Sequence, residues 1–258
     1  MNAQARETTG PRTALVGMLA LGAALVMGRA GPVVAGTVPI VSCPALITAP
    51  GTYVLAADLS CPPFPFFAIS VRADNVHLVL GTHVIRGSSY GVGASGITGL
   101  SVTGGTFTGF IIGMEILDTS GTSLTGVTVT GNRFGFELSN CTNCAIVSST
   151  VTGNVYGMSL IRITGSRLAS NTVTGNSYFG IGMNTIAESS LTGNIVTDNT
   201  MFGLFVQQGS TGNRLTGNSA TGNTQADLDD ENPGPPCANT WRGNRFGTVG
   251  GAGAPCIQ

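Results

Sequence analysis

The chain has 258 residues, 39 of them glycine, with 9% charged, 42% hydrophobic and a formal net charge of −1. It contains no lysine. This near-neutral balance excludes the electrostatic footprint of a nucleic-acid binder or of a protein drawn to anionic membranes. The alternation of glycine with Val, Ile, Leu and Thr supplies the apolar residues that a disordered chain lacks.

Residues 1–35 read as a signal peptide. Arg6 and Arg12 precede the apolar run Ala14–Met27, which is 14 residues long. That run is too short to span a bilayer and fits a signal core. Val33, Val34 and Ala35 offer a cleavage site. Arg29 interrupts the longer run that an anchor needs, so no membrane span is expected after cleavage. The chain from Gly36 onward then carries 8 Arg against 11 acidic residues, or −3.

Residues 36–70, with "CPALITAPGTYVLAADLSC", are expected to form an N-terminal cap containing a short strand pair. Cysteine usage agrees with export: Cys43, Cys61, Cys141, Cys144, Cys237 and Cys256 make an even number. The simplest pairing is Cys43–Cys61, Cys141–Cys144 and Cys237–Cys256, although six cysteines permit other connectivities. Cys141-Thr-Asn-Cys144 has no second CxxC and no nearby His, which argues against a metal or redox motif.

Residues 71–226 repeat. The pentapeptide TVTGN occurs at Thr128–Asn132, Thr150–Asn154 and Thr172–Asn176, and related segments begin at Leu124, Ile146, Leu168, Leu191 and Leu215, at intervals of 22, 22, 23 and 24. Looser copies lie at Leu100–Gly109 and Val76–Gly87. Each period holds short β-type runs separated by Gly-Asn turns, with no room for a helix and about half the length of a propeller blade. The fold class is therefore all-β, a single-stranded parallel β-helix. About seven coils are expected, roughly 34 Å in all at about 4.8 Å per coil.

Alternation along each strand assigns sides. Val129, Val151, Val173, Val196 and Ala220 stack inward, continuing back to Phe107 and Ile85. Leu124, Ile146, Leu168, Leu191 and Leu215 form a second inward column. Met114/Ile116, Phe136/Leu138, Met158/Leu160, Ile181/Met183 and Leu204/Val206 form inward pairs on the next strand. Asn132, Asn154, Asn176, Asn199 and Asn223 can bond as an amide ladder, and Asn171, Asn194 and Asn218 as another. Residues 227–258 are expected to be the C-terminal cap, with Trp241 and Phe246 over the last coil and Cys237–Cys256 pinning it.

The TGN coils, together with the terminal "DLDDENP…C…NTWRGNRFGT…PC", resemble bacterial secreted right-handed parallel β-helix proteins. These include NosD-type copper-accessory relatives and, more distantly, β-helix polysaccharide lyases, hydrolases and epimerases. The resemblance covers about residues 40–258 and implies the right-handed sense. It does not imply an activity, because the fold hosts many. Lyases of the superfamily use acidic metal ligands with a Lys or Arg base. Its hydrolases use Asp clusters with His-Gly and Arg-x-Lys, and its epimerases an Asp, Pro, His, Asp motif. This chain lacks Lys, His-Gly and the epimerase motif. For copper, His77 and His83 have no matched Met or Cys, and Met114, Met158 and Met183 fall on inward positions. No metal or other cofactor is expected.

Four surface features remain. Glu115 and Glu137 hold the same outward position on neighbouring coils. Such a pair can raise one pKa, bind a cation, or act as acid and nucleophile; alternatively both are solvated or pair with Arg133 and Arg162. As a working pair, Glu115 would donate the proton and Glu137 would be the carboxylate. His77, His83 and Arg86 lie on the first full coil, where they can meet an anionic sugar or form an idle surface group. Asp227, Asp229, Asp230 and Glu231 can hold Ca²⁺ or, as the default, bond the amides of the end coil. Thr106/Thr108, Thr128/Thr130, Thr150/Thr152 and Thr172/Thr174 form two outward ranks like those of β-helical ice-binding proteins, or simply a neutral strand surface.

The combined expectation is an exported, secreted or periplasmic, monomeric scaffold without catalysis that binds glycan or cell-surface material. A carbohydrate-active enzyme with an unrecognised site, and an ice-binding protein, are the alternatives.

Overall fold

The computed structural model describes residues 36–63 and 66–258. The signal-peptide segment, residues 1–35, lies outside the described residues. The rest is a parallel β-solenoid. Three strands make a typical coil, as in Ser123–Thr125, Thr128–Thr130 and Phe134–Ser139. The first two strand positions join into a 17-stranded sheet, and the third forms a 10-stranded sheet. Every ladder between named strands is parallel.

The register follows the sequence repeat. Val129 pairs with Val151, Val151 with Val173, Val173 with Val196 and Val196 with Ala220. All five are 0% exposed, whereas the Thr on either side of each TVT valine is half-buried. Alternation therefore places β-branched methyls inward and hydroxyls at the surface, the arrangement a half-buried strand favours. Gly131, Gly153 and Gly175 hold φ of 65°, 63° and 64°, the left-handed geometry the TGN turn requires. Asp198, with φ 56°, takes that place in the TDN copy.

The count of coils is about nine rather than seven. The difference arises at the ends, where ladders continue without the TGN signature. Val38–Ile40 pairs with Gly51–Leu55, and Ala45–Ile47 with Phe67–Val71. At the other end Thr240–Arg242 and Arg245–Phe246 extend the first sheet, and Val249–Gly250 extends the second. The sulfurs pair as Cys43–Cys61, Cys141–Cys144 and Cys237–Cys256. The middle pair is buried inside the solenoid.

Asparagine ladders line the turns inside the coils. Asn132, Asn154, Asn176 and Asn199 each donate Nδ2 to Oδ1 of the next member, ending at Asn223, at 2.9 to 3.1 Å. The backbone N–H of each donates to that same oxygen. The second ladder, Asn171, Asn194 and Asn218, runs on to Asn244. A third, which the repeat did not reveal, passes from Cys144 through Ser166 and Ser189 to Asn213 and Asn239. These bonds satisfy amides that would otherwise be buried without partners.

One further column controls how close the coils lie. A Cβ on Gly113, Gly135, Gly157 or Gly180 would collide with a valine Cγ1 of the inward stack or the carbonyl oxygen of the next glycine in the column. The column also borders the first Asn ladder, since a Cβ on Gly135 would lie 3.3 Å from Asn154 Nδ2. At the last coil the partner of Gly203 is Asp227, whose carboxylate receives the end of that ladder.

Candidate functional site

The outer face of the 10-stranded sheet carries two neighbouring carboxylates. Ser70, Gly93, Glu115, Glu137 and Ser159 lie opposite one another on successive strands, followed by Gly182 and Phe205. Glu115 and Glu137 are therefore direct neighbours, their backbones about 4.8 Å apart. Both are half-buried, and neither has a hydrogen bond or ion pair among the described residues. Burial pushes both carboxyls above their ordinary range, and Glu115 is raised further by the charge of Glu137. Arg133 does not reach Glu137; its guanidinium carbon lies 5.6 Å from the Phe134 ring centroid. Arg162 bonds Asn140 and Ser139.

Beside this column runs a line of rings that the sequence reading missed. Tyr90, Ile112, Phe134 and Tyr156 are in register on successive strands, and Phe179 pairs with Phe202. Phe134 and Tyr156 stack at 4.6 Å, Tyr156 and Phe179 meet at 5.3 Å, and Phe202 stacks on Phe205 at 4.5 Å. The signal was present: an aromatic residue precedes the packing glycine in Tyr90-Gly91, Phe134-Gly135, Tyr156-Gly157, Phe179-Gly180 and Phe202-Gly203. The glycine and the residue after it both face the core, so strict alternation did not place these rings outside. At the N-terminal end, Phe67, Ser70, Arg72, Gly93, Ser95 and Glu115 contribute to a cleft of about 420 Å³, a size that suits a small saccharide.

The other candidates fall elsewhere. Thr106, Thr128, Thr150 and Thr172 are in register on the outer face of the first sheet, as are Thr108, Thr130, Thr152 and Thr174. The first rank is interrupted by Ile195 and followed by Ser219, whereas the second continues through Thr197 to Thr221. His77 and Arg86 lie nine residues apart on the strand Val76–Arg86. His83 stands 3.3 Å from Asp58 instead, and Asp58 also accepts the Val84 amide at 2.9 Å. The acidic run serves the end of the solenoid. Asp230 accepts from Asn232, Asn239 and Trp241 Nε1, the last at 3.0 Å.

A family model described as "Periplasmic copper-binding protein (NosD)" matches residues 71–246. The chain belongs to the NosD family. Among solved structures, the periplasmic alginate epimerase AlgG is similar at 14% identity and TM-score 0.55, over 78% of this chain and 50% of AlgG. The Dettilon tailspike protein is similar at 12% identity and TM-score 0.53, over 84% of this chain and 60% of the tailspike. The chain thus spans about half the length of AlgG, and identities this low show a shared fold alone. No curated protein matches the sequence.

The donor set of this NosD-family member does not suit the copper in the family's description. Copper favours thiolate, thioether and imidazole ligands. All six cysteines are in disulfides. Met114, Met158 and Met183 are 0% exposed within the core. The two histidines sit apart, and no group of three or more His, Cys, Asp or Glu able to hold a metal occurs among the described residues.

Proposed function

We propose that this protein is an exported β-solenoid scaffold that binds glycan or cell-surface polysaccharide on the outer face of its 10-stranded sheet. The observation that carries this reading is the placing of unpaired carboxylates beside a line of aromatic rings on one rigid surface. Rings stack on the apolar faces of sugars, and partnerless carboxylates accept their hydroxyl hydrogens. A regular ladder holds both without a folding cost at the moment of binding. Membership of a periplasmic family, three disulfides and the signal-like residues 1–35 support export. The relation in fold to an alginate epimerase is consistent with a polysaccharide partner.

The carboxylate pair also supports a second reading, a carbohydrate-active enzyme in which Glu115 donates a proton. One experiment separates the two. The secreted protein is titrated with a panel of soluble polysaccharides, and each mixture is then analysed by mass. Saturable binding with unchanged glycan mass supports the scaffold. Shortened or unsaturated products establish an enzyme, and no binding to any glycan removes both readings.

A further inference from the structure

The glycan reading, on which this inference rests, leaves open how a chain would lie on the sheet. The outward column supplies an answer because its side chains are short on both sides of the carboxylates. Gly93 stands before Glu115, and Ser159 and Gly182 follow Glu137. The space over Gly93 is taken by the ring of Phe67, which would collide with any Cβ there. A Cβ on Gly182 would lie 2.9 Å from the Phe179 ring. The glycines therefore let rings lie down against the sheet.

The column and its two flanking rows run parallel to the solenoid axis, with the cleft of about 420 Å³ at the Phe67–Glu115 end. The aromatic line forms one row. Ser95, Leu117, Ser139, Ile161 and Asn184, in register on the same strands, form the other. Phe67 closes the first end, and Phe205, stacked on Phe202, supplies a ring platform for the last sugar at the second. From Gly93 to Phe205 is five coil steps, about 24 Å at about 4.8 Å each. That is several sugar residues long.

The charge of the column selects its occupant. Its floor carries two carboxylates that form no ion pair among the described residues: Arg72 lines the cleft at the Glu115 end without pairing with either, and Arg162 on the neighbouring turn is engaged with Asn140 and Ser139. A uronate polymer would place further carboxylates against this pair, a like-charge contact that costs binding. An uncharged sugar offers hydroxyl donors and apolar ring faces. We infer that the column from Gly93 to Phe205 is the floor of an extended subsite array for an uncharged linear polysaccharide, bound along the solenoid axis, with Ser159 as the residue that keeps it open and Gly182 as the one that lets the Phe179 ring lie against the floor.

The test uses the full secreted chain and linear oligosaccharides of two to six units in the cello-, manno- and chito-series, with alginate and polygalacturonate as anionic comparators. Calorimetric affinity is expected to rise at least tenfold from the dimer to the hexamer of one neutral series. Ser159→Trp covers the floor at an outward position and should lower hexamer affinity at least tenfold with an unchanged melting temperature. Arg167→Trp, on the other sheet, should leave affinity unaltered. Phe205→Ala shortens the array, so it should weaken the hexamer while leaving the trimer unaffected, and it serves if Ser159→Trp does not fold. Preference for alginate or polygalacturonate overturns the inference, as does length-independent binding that ignores both Ser159→Trp and Phe205→Ala; either result leaves glycan binding itself standing. Absence of binding to every glycan overturns both.

Discussion

Asn223 donates its backbone N–H and its side-chain Nδ2–H to one oxygen of Asp227, each at 2.9 Å. The other oxygen accepts the Gly247 and Thr248 amides at 2.8 and 2.9 Å. Burial alone would raise this carboxyl, but these bonds outweigh it and hold the group below its ordinary range. A lowered pKa stabilises the fold above the unfolded value near 3.8, and that contribution is lost as pH falls through the lower folded value. Asp227→Asn should therefore cost about 2–3 kcal/mol at pH 7. Denaturant unfolding should show the two proteins converging in strong acid. Equal stability at pH 7 would mean that the ladder needs no anionic end.

Glu115 and Glu137 act in the opposite sense. Their folded pKa values are raised, so their contribution is fully present below about 4.5 and is lost as pH rises through the folded values. Glu137→Gln should raise the melting temperature at pH 7 by a degree or more and bring the Glu115 carboxyl down toward its ordinary range. Carbon-detected NMR titration of Glu115 checks the second outcome. An unmoved Glu115 would show that the two carboxylates do not sense each other.

The glycine column sets the spacing of the coils. Gly157→Ala would drive a methyl into the Gly180 carbonyl and to 3.0 Å from Val173 Cγ1. Neither neighbour is a flexible chain end, so the cost should reach about 3 kcal/mol or more. Equilibrium unfolding measures it; a loss under about 1 kcal/mol would show that adjacent coils can part without penalty.

Copper should not stabilise the fold. Addition of Cu(II), or of Cu(I) under reducing conditions that spare the disulfides, is expected to leave the melting curve in place, since binding only to the native state would shift it. A rise that saturates at one equivalent would show that the native fold holds a copper site after all.

Reduction should loosen the ends first. Cys43–Cys61 and Cys237–Cys256 span separations of 18 and 19 residues, whereas Cys141–Cys144 spans 3. On chain-entropy grounds each terminal pair contributes about 3 kcal/mol. Hydrogen exchange in reduced protein should rise earliest near residues 38–60 and 237–256. Uniform loss of protection would show that the middle depends on the same cross-links.

The interior was legible in the sequence because inward residues recur at a fixed interval and differ sharply from their neighbours. Val151 between two threonines, or Asn176 after a turn glycine, declares its side by type and spacing. What escaped depends on contacts between coils. Gly157 is uninformative until the Gly180 carbonyl is stacked against it. Ser166 and Ser189 carry an amide ladder without being amides. Phe134 and Tyr156 point outward because Gly135 and Phe136, and likewise Gly157 and Met158, both face the core, which breaks the two-residue rhythm used to assign faces. The end coils escaped for a similar reason: Val38–Ile40 and Thr240–Arg242 join the ladder through backbone bonds and need no TGN.

The amide ladders have a direction. Each Asn of the series beginning at Asn132 donates its backbone N–H and one Nδ2–H toward the C-terminus, while Nδ2 also donates back to a carbonyl of the preceding coil, and the series finishes on the Asp227 carboxylate, which can only accept. A carboxylate at position 227 is thus a terminator. Gene segments encoding one coil can be copied or deleted upstream of it without stranding a hydrogen, because each new asparagine both receives and passes on. The other two ladders and both sheets carry on past it, to Asn239, Asn244 and Val249–Gly250, so the stop belongs to one ladder and the solenoid adds its last strands without that ladder.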